Sequence, residues 1–162
     1  MRKIFLVFFM LFSFCFAFTK KYDKYFIKYT KFYFPYLSWK LFKAQAITES
    51  SLIPTAVSRV GAIGLMQIMP STAKWLKVNP KLLFDPKINI QTGIKYDKWL
   101  EKFWKEKNYY IKLYYIFASY NAGPGRIRKL DKKYKRFSIL YKKMPKETQS
   151  YIKRIFYYYL KL

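Results

Sequence analysis

Residues 41–70 read LFKAQAITESSLIPTAVSRVGAIGLMQIMP and change their pattern halfway along. The first half continues a run of apolar and small residues at intervals of three and four, which predicts a helix over 36–50. The second half carries Gly61 and Gly64 among small and β-branched residues, which predicts a loop with at most one short hairpin. Glu49 therefore lies in the last turn of a helix, where the helix dipole disfavours an anion and favours a retained proton.

Start and stop signals predict further helices downstream. Asp85 followed by Pro86 is a capping carboxylate before a proline at the first helical position. The apolar stripe of that helix comprises Ile90, Gly93, Tyr96, Leu100 and Phe103. The other predicted helices are one capped by Ser71 or Thr72 and ending at Lys77, one from Tyr109 to Tyr120 stopped by Gly123, and one from Pro145 to about Tyr159. The fold class is mainly α, in a single helical domain with a small hairpin or irregular element.

The amino terminus has the layout of a secretory signal peptide. Arg2 and Lys3 precede an apolar run, and small Ala17 follows it, so we expect residues 1–17 to be removed by cleavage. An uncleaved anchor is the alternative, although the run is shorter than the roughly 20 residues of a stable transmembrane span. Residues 18–40 are rich in Lys and Tyr, and we expect them to form a basic, aromatic leader that packs on the domain.

Composition restricts the possible chemistry. The chain has no histidine, and its one cysteine, Cys15, lies in the predicted signal peptide. These absences exclude histidine triads, Cys–His dyads and ordinary zinc sites, so we expect neither a metal nor a cofactor. The net charge is +25, or +23 after loss of Arg2 and Lys3; it could serve nucleic acid, an anionic membrane or an acidic polymer, or reflect the residue bias of an AT-rich coding sequence.

Only eight residues are acidic, so each can be weighed. Asp97 and Glu101 lie four apart on a lysine-rich helix face, where pairing with surface lysines explains them. The others have ordinary positions: Asp85 as a helix cap, Asp23 in the leader, Glu106 at a helix end, Asp131 in a basic run and Glu147 in a first helical turn. Glu49 alone lacks a structural explanation, which makes it the candidate catalytic residue.

Three spaced motifs accompany this glutamate. They are Glu49-Ser50, Gly64-Leu65-Met66-Gln67 and Tyr120-Asn121-Ala122-Gly123. Their order and intervals resemble the soluble lytic transglycosylase family of peptidoglycan lyases. The similarity spans roughly residues 41–158, so a catalytic domain is placed at 41–162.

The resemblance implies a lysozyme-like fold of the α+β type with a deep substrate cleft, and it makes Glu49 the catalytic acid. The implied substrate-binding residues are Ser50, Ser58, Met66, Gln67, Tyr120, Asn121 and Tyr151, of which Tyr151 would lie near the catalytic carboxylate. Two residues depart from the family pattern, Ile53 and Ser119, and neither touches the implied chemistry.

The implied reaction cuts the β-1,4 bond between N-acetylmuramic acid and N-acetylglucosamine without water and leaves 1,6-anhydromuramic acid ends. Ordinary glycosidases use two carboxyl groups, and the sequence offers no obvious second acid near Glu49, which fits a lyase. A muramidase-type hydrolase and an inactive wall-binding module are the alternatives.

The expected partner is the peptidoglycan glycan strand, with a secretion, pilus or flagellar assembly as a further one. Nucleic acid is not expected, because a signal peptide directs export. We expect a periplasmic or exported monomer without a stable transmembrane span.

Overall fold

The computed structural model describes residues 19–162, and the predicted signal peptide lies outside them. The elements in chain order are α1 Asp23–Tyr33, α2 Trp39–Ser50, α3 Pro70–Trp75, a 3-10 helix Pro80–Phe84, α4 Pro86–Phe103, α5 Tyr109–Ala122, α6 Pro124–Lys133, α7 Phe137–Lys143 and α8 Lys146–Lys161. The prediction of a mainly α fold is confirmed. None of the helices within these residues is long and apolar enough to cross a bilayer.

Helix α2 lies at the centre of the molecule. It contributes Phe42 and Ile47 to a core shared with α1 and α4, and Leu41 and Ala44 to a second core shared with α5 and α8. Every residue from 41 to 48 is buried, so the helix has apolar neighbours on nearly all sides. The helix begins at Trp39, three residues later than predicted, because the chain before it is extended at Ser38.

The basic leader forms α1 and packs against α2 and α4 through Phe26 and the following Phe34. Lys43, on the buried face of α2, is only 2% exposed, and its ammonium pairs with the Asp23 carboxylate of α1 at 2.6 Å. A buried lysine requires such a partner, because an unpaired charge in the interior is costly. The ion pair therefore joins α1 to the central helix.

Between α2 and α4 the chain forms the irregular region that the glycines predicted. Its only β pairing within residues 19–162 consists of two isolated antiparallel bridges, Val57 with Ile63 and Ile63 with Ile68. Helix α3 begins at Pro70, one residue before Ser71, and has no side-chain cap. The prediction that Ser71 or Thr72 caps it is therefore wrong.

The later helix boundaries agree with the sequence signals. The Asp85 carboxylate accepts a hydrogen bond from the Ile88 amide at 2.9 Å at the start of α4. Gly123 ends α5 with a φ of 84°, a conformation that favours glycine. Helices α6 and α7, and the 3-10 helix, were not predicted. Helix α8 lies across α2 and α5.

Ser119, a departure from the family pattern, has a structural role in the second core. It is fully buried on α5, and its hydroxyl accepts a hydrogen bond from the Trp104 indole at 2.9 Å. Asp131 of α6 accepts from the Tyr115 hydroxyl and pairs with Lys107, so this acid joins α6 to α5.

Candidate active site

The Glu49 carboxyl lies at the end of α2, partly exposed to solvent. Its Oε1 accepts a hydrogen bond from the Tyr151 hydroxyl of α8 at 2.6 Å. Burial raises the pKa of Glu49 from its ordinary 4.5 to about 7, while the Tyr151 hydrogen bond and the charge of Arg154 act in the opposite direction. Burial is thus the main reason that this carboxyl holds its proton close to neutral pH.

Tyr151 is buried where α8 packs against α2. Burial, followed by the nearby Glu49 charge, holds its pKa well above 10, so the hydroxyl remains a hydrogen-bond donor. One turn earlier in α8, the Thr148 hydroxyl donates to the Asn121 side-chain oxygen at 2.8 Å. The two contacts tie α8 to the end of α2 and to the end of α5.

The loop after α2 is held by its own polar side chains. The Ser50 hydroxyl donates to the Leu65 carbonyl at 2.8 Å. This bond links the end of α2 to the part of the loop that contains Gly61 and Gly64, called the glycine segment below. The Gln67 amide donates to the Ala56 and Gly64 carbonyls at 3.2 and 3.0 Å. The Ser58 hydroxyl accepts from the Ala62 amide at 2.9 Å. In this structure Ser50, Ser58 and Gln67 therefore shape the loop, and all three remain partly exposed.

Asn89, in the first turn of α4, fixes the glycine segment to the core. Its side-chain oxygen accepts from the Met66 amide at 2.7 Å, and its side-chain amide donates to the Ile63 and Leu83 carbonyls, each at 2.8 Å. A Cβ on Gly64 would lie 2.3 Å from the Asn89 nitrogen, so only glycine permits this approach.

Met66 and Tyr120 are joined by a hydrogen bond, and Tyr120 lies close enough to Glu49 to feel its charge. Met66 is fully buried, with its side chain against Gly93 of α4, where a Cβ would lie 2.4 Å from its sulfur. Its carbonyl accepts from the Tyr120 hydroxyl at 2.8 Å. The Met66 side chain thus packs in the core and presents no exposed surface, whereas Tyr120 is partly exposed.

Asp97 requires a correction. The prediction that it pairs with surface lysines beside Glu101 is wrong: Asp97 is fully buried, and its Oδ1 accepts from the Gln45 amide of α2 at 3.3 Å. Burial raises its pKa well above the ordinary value, the Gln45 hydrogen bond opposes this, and the Glu49 charge adds to it. A second acid therefore lies close enough to Glu49 to feel its charge, contrary to the expectation that none does. Glu101 pairs with Lys98 at 2.6 Å.

Sequence reasoning gave no role at the site to Asp97, Gln45, Asn89 or Thr148. A signal was present for the first two. Asp97 lies four residues after Gly93 and three before Leu100, on the apolar stripe of α4, and Gln45 lies four after Leu41 on the stripe of α2. A polar residue in register with an apolar stripe is a candidate for burial.

An aromatic pocket of about 350 Å³ adjoins Tyr120. Its lining residues are Ser71, Thr72, Trp75, Tyr96, Trp99 and Pro124. The Tyr96 ring contacts Tyr120 at 5.2 Å between centroids and is stacked on Trp99 at 6.0 Å. Trp75 is 52% exposed at the rim.

No group of three acidic, His or Cys side chains within residues 19–162 is placed to hold a metal ion.

A known protein family matches most of the residues described above. The model of the transglycosylase SLT domain matches residues 25–142, well over half of the chain. The chain therefore belongs to the transglycosylase SLT domain family. The match begins inside α1 and ends before α8, so Tyr151 lies beyond it.

Named relatives agree with this assignment. The chain is 37% identical over 94 residues to membrane-bound lytic murein transglycosylase C of Edwardsiella ictaluri, covering 51% of this chain and 26% of the relative. It is 39% identical over 93 residues to the soluble lytic murein transglycosylase of Escherichia coli K12, covering 52% of this chain and 14% of the relative. The chain thus spans about a quarter or less of their lengths.

Solved structures show the same fold. The 70 kDa soluble lytic transglycosylase of Escherichia coli superposes with a TM-score of 0.74 at 29% identity, over 89% of this chain and 24% of that one. The lytic transglycosylase Slt of Pseudomonas aeruginosa, solved as an inactive glutamate-to-glutamine mutant, gives 0.72 at 25% identity, over 88% and 24%. The predicted lysozyme-like fold class is thereby confirmed.

Proposed function

We propose that this chain is a peptidoglycan lytic transglycosylase with Glu49 as its catalytic residue. The observation that carries the proposal is the Glu49 carboxyl itself, partly exposed, hydrogen-bonded by Tyr151 and with a pKa raised to about 7. A general acid works best when its pKa lies near the working pH, and burial gives this glutamate such a pKa. Family membership supports the same activity.

In the first step, protonated Glu49 donates to the oxygen that links N-acetylmuramic acid to N-acetylglucosamine, and the glycosidic bond breaks. The bonding electrons leave with that oxygen, and the anomeric carbon of the muramic acid becomes electron-poor. The same Glu49, now a carboxylate, takes the proton of the muramyl C6 hydroxyl. The C6 oxygen then bonds to the anomeric carbon and closes the 1,6-anhydro ring, and the proton taken from C6 leaves Glu49 protonated as at the start.

The position of the second acid favours this route over hydrolysis. A hydrolase needs a second carboxylate that touches either a water molecule or the anomeric carbon. Asp97 is fully buried and held by Gln45, so it reaches neither. Glu49 is left as the one acid of this cluster that can meet a substrate.

The partly exposed residues around Glu49 are proposed to contact the glycan. Ser50, Ser58, Gln67, Tyr120 and Asn121 offer polar groups at this surface, and Met66 supports Tyr120 from the core. The aromatic pocket next to Tyr120 has the flat rings that pack well on sugar faces, and Trp75 is the most accessible of them. We propose that an adjoining sugar of the strand lies there.

Product analysis tests the reaction. Purified peptidoglycan incubated with the chain should release fragments with 1,6-anhydromuramic acid ends, which are lighter by one water than hydrolysed ends. Mass spectrometry distinguishes the two. Products carrying the additional water would establish a muramidase-type hydrolase, and binding to the wall without any release would establish an inactive wall-binding module.

Tyr151→Phe should raise the pH at which activity is lost. The Tyr151 hydrogen bond lowers the pKa of Glu49, so its removal raises that pKa further above 7. Since the acid must be protonated, the alkaline limb of kcat/KM should move upward by about one pH unit, the value of one hydrogen bond to a charged group. The measurement is a pH–rate profile.

Tyr157→Phe is the matched control for this shift, because Tyr157 is exposed on the same helix. Its profile should coincide with that of the parent protein. An alkaline limb that stays in place in Tyr151→Phe would separate Tyr151 from the proton chemistry.

We propose that the chain acts outside the cytoplasm, where the peptidoglycan wall lies, after export by residues 1–17. The names of its relatives, soluble and membrane-bound murein transglycosylases, support that location. Local opening of the wall for a secretion, pilus or flagellar assembly is the finer hypothesis. Cell fractionation tests the location, and a defect confined to one such assembly in a deletion strain tests the hypothesis.

A further inference from the structure

Asp97 and Gln45 form a buried polar contact between α4 and α2. Both residues are 0% exposed, and one hydrogen bond joins them, from the Gln45 amide to Asp97 Oδ1 at 3.3 Å. Gln45 lies four residues before Glu49 on α2, so this contact is one helical turn from the candidate catalytic carboxyl.

Each of the two side chains has one oxygen without a partner. Asp97 Oδ2 and Gln45 Oε1 are buried and accept no hydrogen bond among the described residues. A buried acceptor left unpaired costs about 1–3 kcal/mol, so two in one contact require an explanation. A single proton on Asp97 Oδ2 supplies it, because that O–H can donate to Gln45 Oε1. The carboxylic acid and the carboxamide then form a closed ring of two hydrogen bonds.

The surroundings of Asp97 do not favour a negative charge. The titratable groups that interact electrostatically with Asp97 are Glu49 of α2, Tyr96 of α4, Tyr120 of α5 and Tyr151 of α8. Each of these groups is either neutral or anionic. Within residues 19–162 no lysine or arginine forms an ion pair with Asp97. An ionised carboxylate in such a site would lack both solvent and a counter-charge.

We propose that Asp97 is held as the neutral carboxylic acid in a two-hydrogen-bond pair with Gln45, and that this pair is a positioning element for Glu49. The pair fixes the last turn of α2 against α4, because Gln45 and Glu49 lie on the same face of α2. A neutral Asp97 also keeps a second negative charge away from Glu49. The negative charges of the two carboxylates would repel each other, so an ionised Asp97 would raise the pKa of Glu49 further. Glu49 would then be a poorer carboxylate for the second step, in which it takes the proton of the C6 hydroxyl. This role for the pair rests on the proposed function, whereas its protonation does not.

The protonation is tested by infrared spectroscopy of the Glu49→Gln variant. Removing the Glu49 carboxyl leaves Asp97 as the acid of the Glu49–Asp97 pair that can give a signal. At pH 8 the spectrum should contain the carbonyl stretch of a protonated carboxylic acid. The band should disappear in Glu49→Gln with Asp97→Asn. Absence of the band in the parent variant overturns the proposal whether or not the chain cleaves peptidoglycan.

The positioning role is tested by activity measurements on Asp97 variants that retain Glu49. Asp97→Asn reproduces the ring with an amide donor and cannot ionise, so its pH–rate profile should coincide with that of the parent protein. Asp97→Ala leaves both polar atoms of Gln45 unpaired, so its activity should fall and its Tm should drop on the order of 5 °C. An alkaline limb moved to lower pH in Asp97→Asn would show that Asp97 is ionised in the parent protein and would overturn the proposal. Should Asp97→Ala fail to fold, the infrared band and the Asp97→Asn profile still decide the question.

Discussion

Glu49→Gln should reduce the release of anhydro-muropeptides to a small residual rate while the fold is retained. Glutamine has the shape of glutamate, and its side-chain oxygen still accepts from the Tyr151 hydroxyl. It has no proton to donate to the glycosidic oxygen, so the rate should fall by about 10²–10⁴-fold, the usual contribution of a general acid. Product release from purified peptidoglycan measures the loss, and circular dichroism checks the fold.

The same variant should be more stable than the parent protein at alkaline pH. The folded-state pKa of Glu49, about 7, lies above its ordinary 4.5. Below pH 4.5 the carboxyl is protonated in both the folded and the unfolded state, so this pKa shift costs no stability there. The cost grows as the pH rises towards 7 and is complete above it, since folding then opposes ionisation. Glu49→Gln removes this cost, up to about 3 kcal/mol in the free energy of unfolding at pH 8. Urea unfolding at pH 5 and pH 8 measures it.

Glu106→Gln is the control for both measurements, because Glu106 is an exposed acid after α4. It should leave activity and the pH dependence of stability unchanged. Anhydro products released by Glu49→Gln at the parental rate would remove Glu49 from the mechanism.

Asn89→Ala should be among the most destabilising single substitutions in this chain. It leaves the Met66 amide and the Leu83 carbonyl without their partner in a buried site, whereas the Ile63 carbonyl still accepts from the Ile68 amide. At about 1–3 kcal/mol for each unpaired buried group, the loss should be about 4 kcal/mol, with a fall in Tm on the order of 10 °C. Thermal unfolding followed by circular dichroism measures it.

Asn108→Ala makes the same chemical change at an exposed helix cap, where the side chain accepts only from the Tyr110 amide. It should cost about 1 kcal/mol. A loss no larger in Asn89→Ala would mean that the glycine segment is held by other contacts. A loss of about 4 kcal/mol would identify Asn89 as the residue that holds the Ile63–Met66 backbone against α4.

The local signals in the sequence were sufficient for much of the helical framework. Capping at Asp85, termination at Gly123 and the glycines at 61 and 64 depend on backbone conformation within a few residues, and each acts where the sequence placed it. The short helices α6 and α7 were missed because each buries a single residue, Ile127 or Leu140, so few apolar residues mark either helix in the sequence.

The sequence makes Glu49 the candidate catalytic residue, by elimination among the acids and by the motifs around it. The elimination contained one error, at Asp97. Spacing of three and four residues shows which side chains share a helix face, but it does not show which face is covered. Asp97 was assigned to the lysine face through Glu101, whereas it equally continues the stripe of Gly93 and Leu100, and packing against α2 decided between the two.

By itself the sequence determined the helical class, the motifs and the one acid without a structural explanation, because these depend on local order. Tertiary structure alone decided the chemistry available to that acid. The pKa of Glu49 is raised by burial against helices far apart in the chain, and the hydroxyl that contacts it comes from Tyr151, 102 residues later. Desolvation and hydrogen bonding act through space, so no local pattern records them.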